Sequence, residues 1–497
     1  MADEIRIFND PGVYVVKAMK PTATIPVMPA LPAAFIGPMY QIVDQDVDSL
    51  TDAVLSSEHF SETSSVNVAY PSLISADSEV DLESVVVKAI RPDGREADIT
   101  EICTVGEDSV TINYDAPATK SFLEELNDLW GGDSAKNIYK GIEGVPIHIE
   151  YRALRTDLVG KVLQAQGADG VLSVIGKGVL QNPLGLAGAI ATRFTSGGIY
   201  FVPTTEDIAA DIGTALALLE PLDVFAPVVL SDDPLVQQQV IEHVDRMSSE
   251  EEQKERFAWT AVTVPTKEDL INDEVIDENA TLSEVKAAQK NYIKNYAKSI
   301  FNKNAAVLFQ SFTTNIDGVD VELPAYYLAV AYAALKSQIS PQQGLTNYPV
   351  GGLVKKLHYA NNYFKPSDLK ELSQAGVFVC VQDAEAAPIR CRFQVTTNMT
   401  NNKTKQVSLQ YSVAFFSKSF RKTLDPLLGV NNVTASVLEQ VEMTVSVFLG
   451  QMKAAGIIVR GAIETLRQNP DDPSQADVVV EVEFATPLDK IVMLLKY

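Results

Sequence analysis

Histidines, cysteines and spaced carboxylates are the residue types that could do chemistry in this chain, and they are few. His59, His148, His243 and His358 each lack a second His or Cys at the spacing of a transition-metal site. Cys103, Cys380 and Cys391 are an odd, sparse set, which does not make a disulfide framework. Cys380 and Cys391, on strands expected to be neighbours, read as small buried hydrophobes. No residue pattern selects a Cys–His nucleophile pair. Asp44, Asp46 and Asp48 imitate the opening of a calcium loop. That loop needs Gly at its sixth position and Glu at its twelfth, where this chain has Ser49 and Leu55, so the segment reads as a solvated acidic loop. The stretch GVLSVIGKG, 170–178, is near a phosphate loop but has one residue too many between its glycines. Gly178 also stands where a magnesium-binding hydroxyl is required. There is no G-x-S-x-G elbow and no G-x-G-x-x-G after a strand. No catalytic, cofactor-binding or metal-binding residue is therefore expected, and no cofactor. Lys286, Lys290, Lys294 and Lys298 form a stripe at i, i+4 spacing. It reads as a solvated helix face, with an acidic surface on a neighbouring subunit as the alternative.

Such a chain must be explained by its elements rather than by a reactive centre. It has 497 residues, of which 46% are hydrophobic and 21% charged, so several cores are possible and wholesale disorder is not expected. About 150 residues per domain suggests about three domains. The net charge is −25 and unevenly spread. Residues 340–497 carry 16 basic and 14 acidic groups, while 1–339 carry 24 and 51. An acidic field of this kind repels nucleic acid and anionic membrane surfaces, and neither is expected as a partner. The near-neutral C-terminal third is the part easiest to pack against other subunits. No apolar core interrupts the charges of the first twenty residues, so a signal peptide is not expected. The longest apolar stretch, Ala325 to Leu335, is too short to span a bilayer. Synthesis in a reducing cytoplasm fits best.

The chain begins unusually. Val13, Tyr14, Val15 and Val16 are strand formers, punctuated by Pro11 and Gly12 and followed by Pro21, Pro26, Pro29, Pro32 and Pro38. Residues 1–25 read as an extended arm, or else as a strand docked on its own sheet. A β-rich module follows at 78–154, with a hairpin of Val85–Ile90 and Glu96–Ile102, strands at Asp108–Tyr114 and Val145–Tyr151, and a short helix at Lys120–Trp130. Residues 26–77 and 155–344 form an α/β middle domain. Its markers are a buried strand Val224–Leu230, an Asp233-Pro234 helix start with Val236, Val240, Val244 and Met247 on one face, and strands at Ala258–Val264 and Ala305–Phe312. A Thr281/Glu284 capping box starts a helix with Val285, Tyr292, Tyr296 and Ile300 on one face, and a turn at Asp317-Gly318 leads into Val319–Leu323. Residues 345–484 form a last domain. It has strands at Gly376–Val381, Ile389–Thr397 and Gln406–Phe416, and a helix with Val437, Val441, Val445, Phe448 and Met452 on one face that stops at Gly456. VVVEVEF, 478–484, alternates as a half-exposed strand should, and 485–497 close the chain as a second arm. The expected fold class is α+β or α/β and multidomain, with mixed sheets, an inserted β-rich outer module and strand-forming arms at both ends.

Four segments resemble the sheath proteins of contractile phage tails and related injection particles. PGVYV at 11–15 is similar to the family's arm opening, and APVVLSDDP at 226–234 to its central strand and helix. LSQAGVFVCVQDAEAAPIRCRFQVTTN at 372–398 looks like its glycine, strand and T-T-N signature. FRKTLDPLLGVNN at 420–432, with the helix and ADVVVEVEFATPLDKIVMLLKY after it, looks like its C-terminal domain and arm. The match covers the first forty residues and most of 225–497; the module at 78–152 has no counterpart in it. The resemblance implies a non-enzymatic subunit of a helical sheath, stacked in rings around an inner tail tube and joined at its ends to baseplate and tail terminator proteins. It implies location in a virion tail assembled in the host cytoplasm, with contraction driving the tube through the host envelope. It also implies strand exchange through Pro11, Gly12, Val13, Tyr14, Val15 and Val16 at one end. At the other end the exchange involves Val480, Val482, Phe484, Ile491, Val492, Met493, Leu494 and Leu495. Two consequences are expected: charge reversal within 78–152 leaves assembly intact, and charge added on the Val437–Met452 face abolishes it. A tube or capsid subunit, or an α/β enzyme with an unusual site, are the other readings.

Overall fold

Ala33–Pro38 is apolar on both faces, and a strand of that composition is stable only between other strands and under helices. It lies between Gly198–Thr204 and Ala226–Val229, parallel to both, with Phe35 opposite Phe201 and Val228. Leu163–Gln166 adds an antiparallel edge. This strand is interior to its sheet, although the prolines around it point only to extended chain. The computed structural model describes residues 31–47, 65–69, 79–90, 96–106, 109–113, 147–316, 318–428 and 432–488. These fall into two units, one drawn from residues 30–414 with 486–488, the other from 415–485. The fold is mixed, with helices and both parallel and antiparallel sheets.

In the first unit the parallel theme continues. The Phe257 amide donates to the Phe225 carbonyl at 2.8 Å, Ala258–Ala261 pairs in parallel with Ala305–Leu308, and Val307 bridges to Val377. Helices cover these strands where the sequence starts them. Asp233 caps Pro234–Met247 by accepting from the Leu235 amide, and Val236, Val240, Val244 and Met247 are buried beneath it. Thr281 and Glu284 form the expected capping box of Leu282–Ile300. The buried face of that helix is Val285, Gln289, Ile293 and Ala297, not the tyrosine face: Tyr292 is exposed. Gln289 stays inside because Pro265 and Tyr363 give its amide partners. An aromatic cluster fills the centre. Trp259 stacks on Tyr332 at 5.8 Å, meets Phe378 edge-on at 5.3 Å, and donates its indole N–H to the Tyr411 hydroxyl at 2.8 Å.

Two expected boundaries move. The β-rich section begins before residue 78, because Tyr40–Val47 runs antiparallel to Ile147–Leu154 through eight residue pairs. Val86–Ile90 lines the other edge of Ile147–Leu154, and Glu96–Asp98 pairs with it as the predicted hairpin. Ser65–Ala69, Ser109–Asn113 and Cys103–Val105 make a second sheet. Asp44 and Asp46 thus lie in a strand, and Asp48 lies outside the described residues. The boundary expected at 345 does not coincide with a break in packing. Lys356–Leu357 pairs with Phe312–Thr313, and the Thr397 hydroxyl donates to the Asn302 carbonyl at 2.9 Å. Gly376 shows why this region is tightly determined: its φ is +92°, and a Cβ there would lie 2.9 Å from the Thr397 backbone.

Gln406–Phe416, expected as a strand, is helical: the helix runs Val407–Leu424. Its first turns alternate apolar and polar residues, which mimics a strand. Almost every position from 406 to 412 is buried, Ser408 and Ser412 included, so the alternation did not mark an exposed face. Ser412 satisfies its hydroxyl on the Ser408 carbonyl at 2.9 Å, as helical serines do.

Candidate assembly site

The second unit is built on the helix Ala435–Ala454. Thr434 caps it, and the chain turns back at Gly456, whose φ of +72° is the left-handed value a helix end favours. Val441, Val445, Phe448 and Met452 are buried as the periodicity required. Phe416, Phe420, Phe448 and Phe484 form one aromatic cluster, with ring centres 5.0 Å apart for Phe416–Phe448 and 5.5 Å for Phe416–Phe484. The Val437–Met452 face is therefore internal to this unit and not a free assembly surface.

Beyond the helix the chain forms a long hairpin, Ile458–Gln468 against Ala476–Phe484. Asn469 closes the turn, its side-chain oxygen accepting from the Asp471 and Asp472 amides at 2.8 and 3.1 Å. The expected strand at 478–484 is present, with Val478, Val480, Val482 and Phe484 half-buried and the intervening residues exposed. Its partner, Ile458–Gln468, was not anticipated. The signal available for it was the alternation after Gly456 and the Asn469–Asp472 turn. Arg460 faces Glu481 and Glu483 at 3.6 and 3.9 Å, and Arg467 faces Asp477 at 3.6 Å. The sheet has two strands, and among the described residues neither outer edge has a strand partner. Rows of open backbone donors and acceptors are the chemistry on offer: they can accept another strand. Of the residues expected at the arms, Val480, Val482 and Phe484 lie in this hairpin, opposite Ile463, Gly461 and Ile458. Pro11 to Val16 and Ile491 to Leu495 lie outside the described residues, as do Lys120–Trp130 and His59.

The other candidate groups are held in ways that leave little reactivity. Cys380 and Cys391 are opposite each other on neighbouring strands, buried and not joined by a disulfide. Burial pushes the Cys380 thiol up to about 12, and burial with Asp98 nearby does the same for Cys103. His243 is held down to about 4 by burial and the adjacent Arg256 and Arg246. Arg256 itself caps the helix Ile208–Leu219, donating to the Leu219 carbonyl at 2.6 Å. The glycine stretch at 170–178 has the wrong order for phosphate binding, since the helix Gly167–Ile175 precedes the Gly176 turn instead of following it. Three of the four stripe lysines are held within the protein, and Lys298 is exposed as a solvated face would have it. Lys290 meets Asp368 at 3.0 Å and Glu371 at 2.8 Å, Lys294 meets Glu371 at 2.6 Å, and Lys286 lies over the Tyr363 ring. All three tie Leu282–Ile300 to the helix Pro366–Gln374 and the segment before it. One cluster escaped the spacing rules: Asp44, His148 and Glu150 come together across the strands Tyr40–Val47 and Ile147–Leu154. No described helix is long and apolar enough to cross a membrane.

No protein-family model matches the sequence, and no curated protein matches it. Solved structures do match. The helical sheath of the anti-feeding prophage in its contracted state aligns over 99% of this chain and 99% of its own, with 9% identity and a TM-score of 0.54. The contracted PVC sheath complex, from an extracellular contractile injection system, aligns over 68% of this chain and 87% of its own, at 14% identity and a TM-score of 0.51. A chain of the anti-feeding prophage baseplate aligns over 69% and 90%, at 11% identity and a TM-score of 0.50. The chain has the fold of the contractile sheath proteins that its sequence resembles.

Proposed function

We propose that this chain is the structural subunit of a contractile tail sheath and acts by self-assembly, not catalysis. The observation that carries the reading is the sheath fold over nearly the whole chain. The open hairpin Ile458–Gln468/Ala476–Phe484 supports the mode of linkage. Residues 1–25 of one copy and 485–497 of another each add a strand to that hairpin in a third. Val480, Val482 and Phe484 then belong to the receiving sheet, and Val13–Val16 and Ile491–Leu495 to the donated strands. Each net backbone hydrogen bond contributes about 1 kcal/mol, so about ten of them would give roughly 10 kcal/mol per subunit before the cost of ordering the arms.

Stacked rings of this subunit enclose an inner tail tube, with baseplate and terminator proteins at the two ends. The particle is a phage or phage-like tail put together in the host cytoplasm. Contraction is a rigid-body rearrangement of subunits with the arms as tethers, and drives the tube through the host envelope. The near-neutral 340–497 region faces the tube, and the β-rich section is an outer module inserted in the middle domain. Deleting residues 1–20, or 486–497, and imaging the purified protein by negative-stain electron microscopy tests this. The intact chain is expected to form hollow striated tubes and both truncations to stay as small particles. If both truncations polymerise like the intact chain, strand exchange is wrong.

A further inference from the structure

Tyr40–Val47 and Ile147–Leu154 are the strands by which the chain leaves for, and returns from, the segment 48–146. Their register puts Asp44 opposite Glu150 and Asp46 opposite His148. Two-residue spacing places His148 and Glu150 on the same side of their strand. The His148 Nε2 atom lies 2.9 Å from Asp44 Oδ1 and 3.2 Å from Glu150 Oε1, and one donor atom from each of the three falls within 4.8 Å of the others.

A neutral imidazole carries at most one proton on Nε2, so that atom cannot give a full hydrogen bond to both carboxylates. Metal–ligand bonds of about 2.0–2.2 Å set neighbouring donors about 3–3.5 Å apart, close to the two distances from His148 Nε2. We propose that Asp44, His148 and Glu150 form a site for a divalent transition ion of the zinc class, which fastens the two strands at the neck of the 48–146 segment. One imidazole nitrogen and two carboxylate oxygens suit zinc or cobalt, and the fourth position is left for water. The two carboxylates are accessible: Asp44 and Glu150 border a cavity of about 400 Å³.

Two lysines compete with the ion, and the geometry lets each give way. Lys88 Nζ is 2.6 Å from Glu150 Oε1 but also 3.3 Å from Glu96, to which it can retreat. Lys177 Nζ is 3.5 Å from the other oxygen of Asp44, and its side chain is 56% exposed.

The proposal does not rest on the sheath reading, and its test is independent of assembly. The full chain, stripped with a chelator, is titrated with Co²⁺ and followed by its visible absorption, and Zn²⁺ affinity is read by competition with a chromophoric chelator. One equivalent is expected to bind, with a tetrahedral-type Co²⁺ spectrum. His148→Gln and Asp44→Asn are each expected to weaken Zn²⁺ binding at least tenfold, and Zn²⁺ is expected to raise the melting midpoint of the parent chain but not of His148→Gln. Absence of stoichiometric binding by the parent chain, or equal binding by both variants, would leave only a salt-bridge cluster and overturn the proposal.

Discussion

Lys336 is enclosed by protein, 1% exposed, with its ammonium held on backbone oxygens. Nζ donates to the Pro341 and Gln343 carbonyls at 3.0 and 3.1 Å and lies 4.8 Å from the centre of the Tyr411 ring. Burial pushes this lysine down to about 7 from the usual 10.5. The unfolded chain therefore binds an extra proton between pH 7 and 10.5, and stability from this group rises with pH across that window. Below pH 7 both states are protonated and the cost is constant. Urea unfolding of the parent chain and Lys336→Met should show the parent gaining about 2–4 kcal/mol relative to the variant from pH 7 to 10, at roughly 1.4 kcal/mol per pH unit before the carbonyls and ring offset part of it. A flat difference would mean that the lysine is not desolvated. Legibility at this scale was limited to the chain's neighbours. The burial and pairing of Cys380 and Cys391 could be read because their strands adjoin in sequence. The meeting of His148 with Asp44 could not, because strand register across about a hundred residues brings them together.

Elements were legible where local chemistry fixed them. Asp233-Pro234, Thr281/Glu284 and Gly456 start or stop helices by satisfying terminal amides and carbonyls, which needs no distant partner. Val407–Leu424 was misread because burial on nearly all sides erases the face that periodicity reports. The same holds for Ala33–Pro38, whose place in the sheet depends on strands more than a hundred residues away. The lysine stripe had the right helix but the wrong surroundings, since the helix that answers it begins at Pro366. Lys290 and Lys294 hold the Glu371 carboxyl down to about 2 by their hydrogen bonds. A carboxylate so lowered contributes stability above about pH 4.5, which is lost as pH falls toward 2. Glu371 is partly exposed, so solvent screens it. Glu371→Gln should cost under about 1 kcal/mol at neutral pH, and less in high salt, by denaturant titration. A larger loss, indifferent to salt, would assign Glu371 a packing role.

For the whole molecule, the near-neutral C-terminal third was read as one domain, but its first seventy residues pack with the preceding unit. Composition marks no linker there, and backbone pairing such as Val307 to Val377 decides the grouping. The open hairpin came only half into view, through its second strand. Two substitutions separate assembly from folding. Charge reversal at exposed Glu83 and Glu101 in the β-rich section should leave tubes unchanged in electron micrographs. Val445→Asp buries a charge within the Ala435–Ala454 helix packing and should cost several kcal/mol, seen as loss of cooperative unfolding by circular dichroism. A folded Val445→Asp protein that fails only to polymerise would return that face to the assembly surface. The hairpin also has a practical consequence. A lattice joined as proposed, through unsatisfied strand edges, can be poisoned: a synthetic peptide copying residues 8–20 would occupy the edge without bringing a further subunit with it. Such a chain terminator should shorten the tubes in proportion to its dose, while a scrambled peptide of the same composition should not.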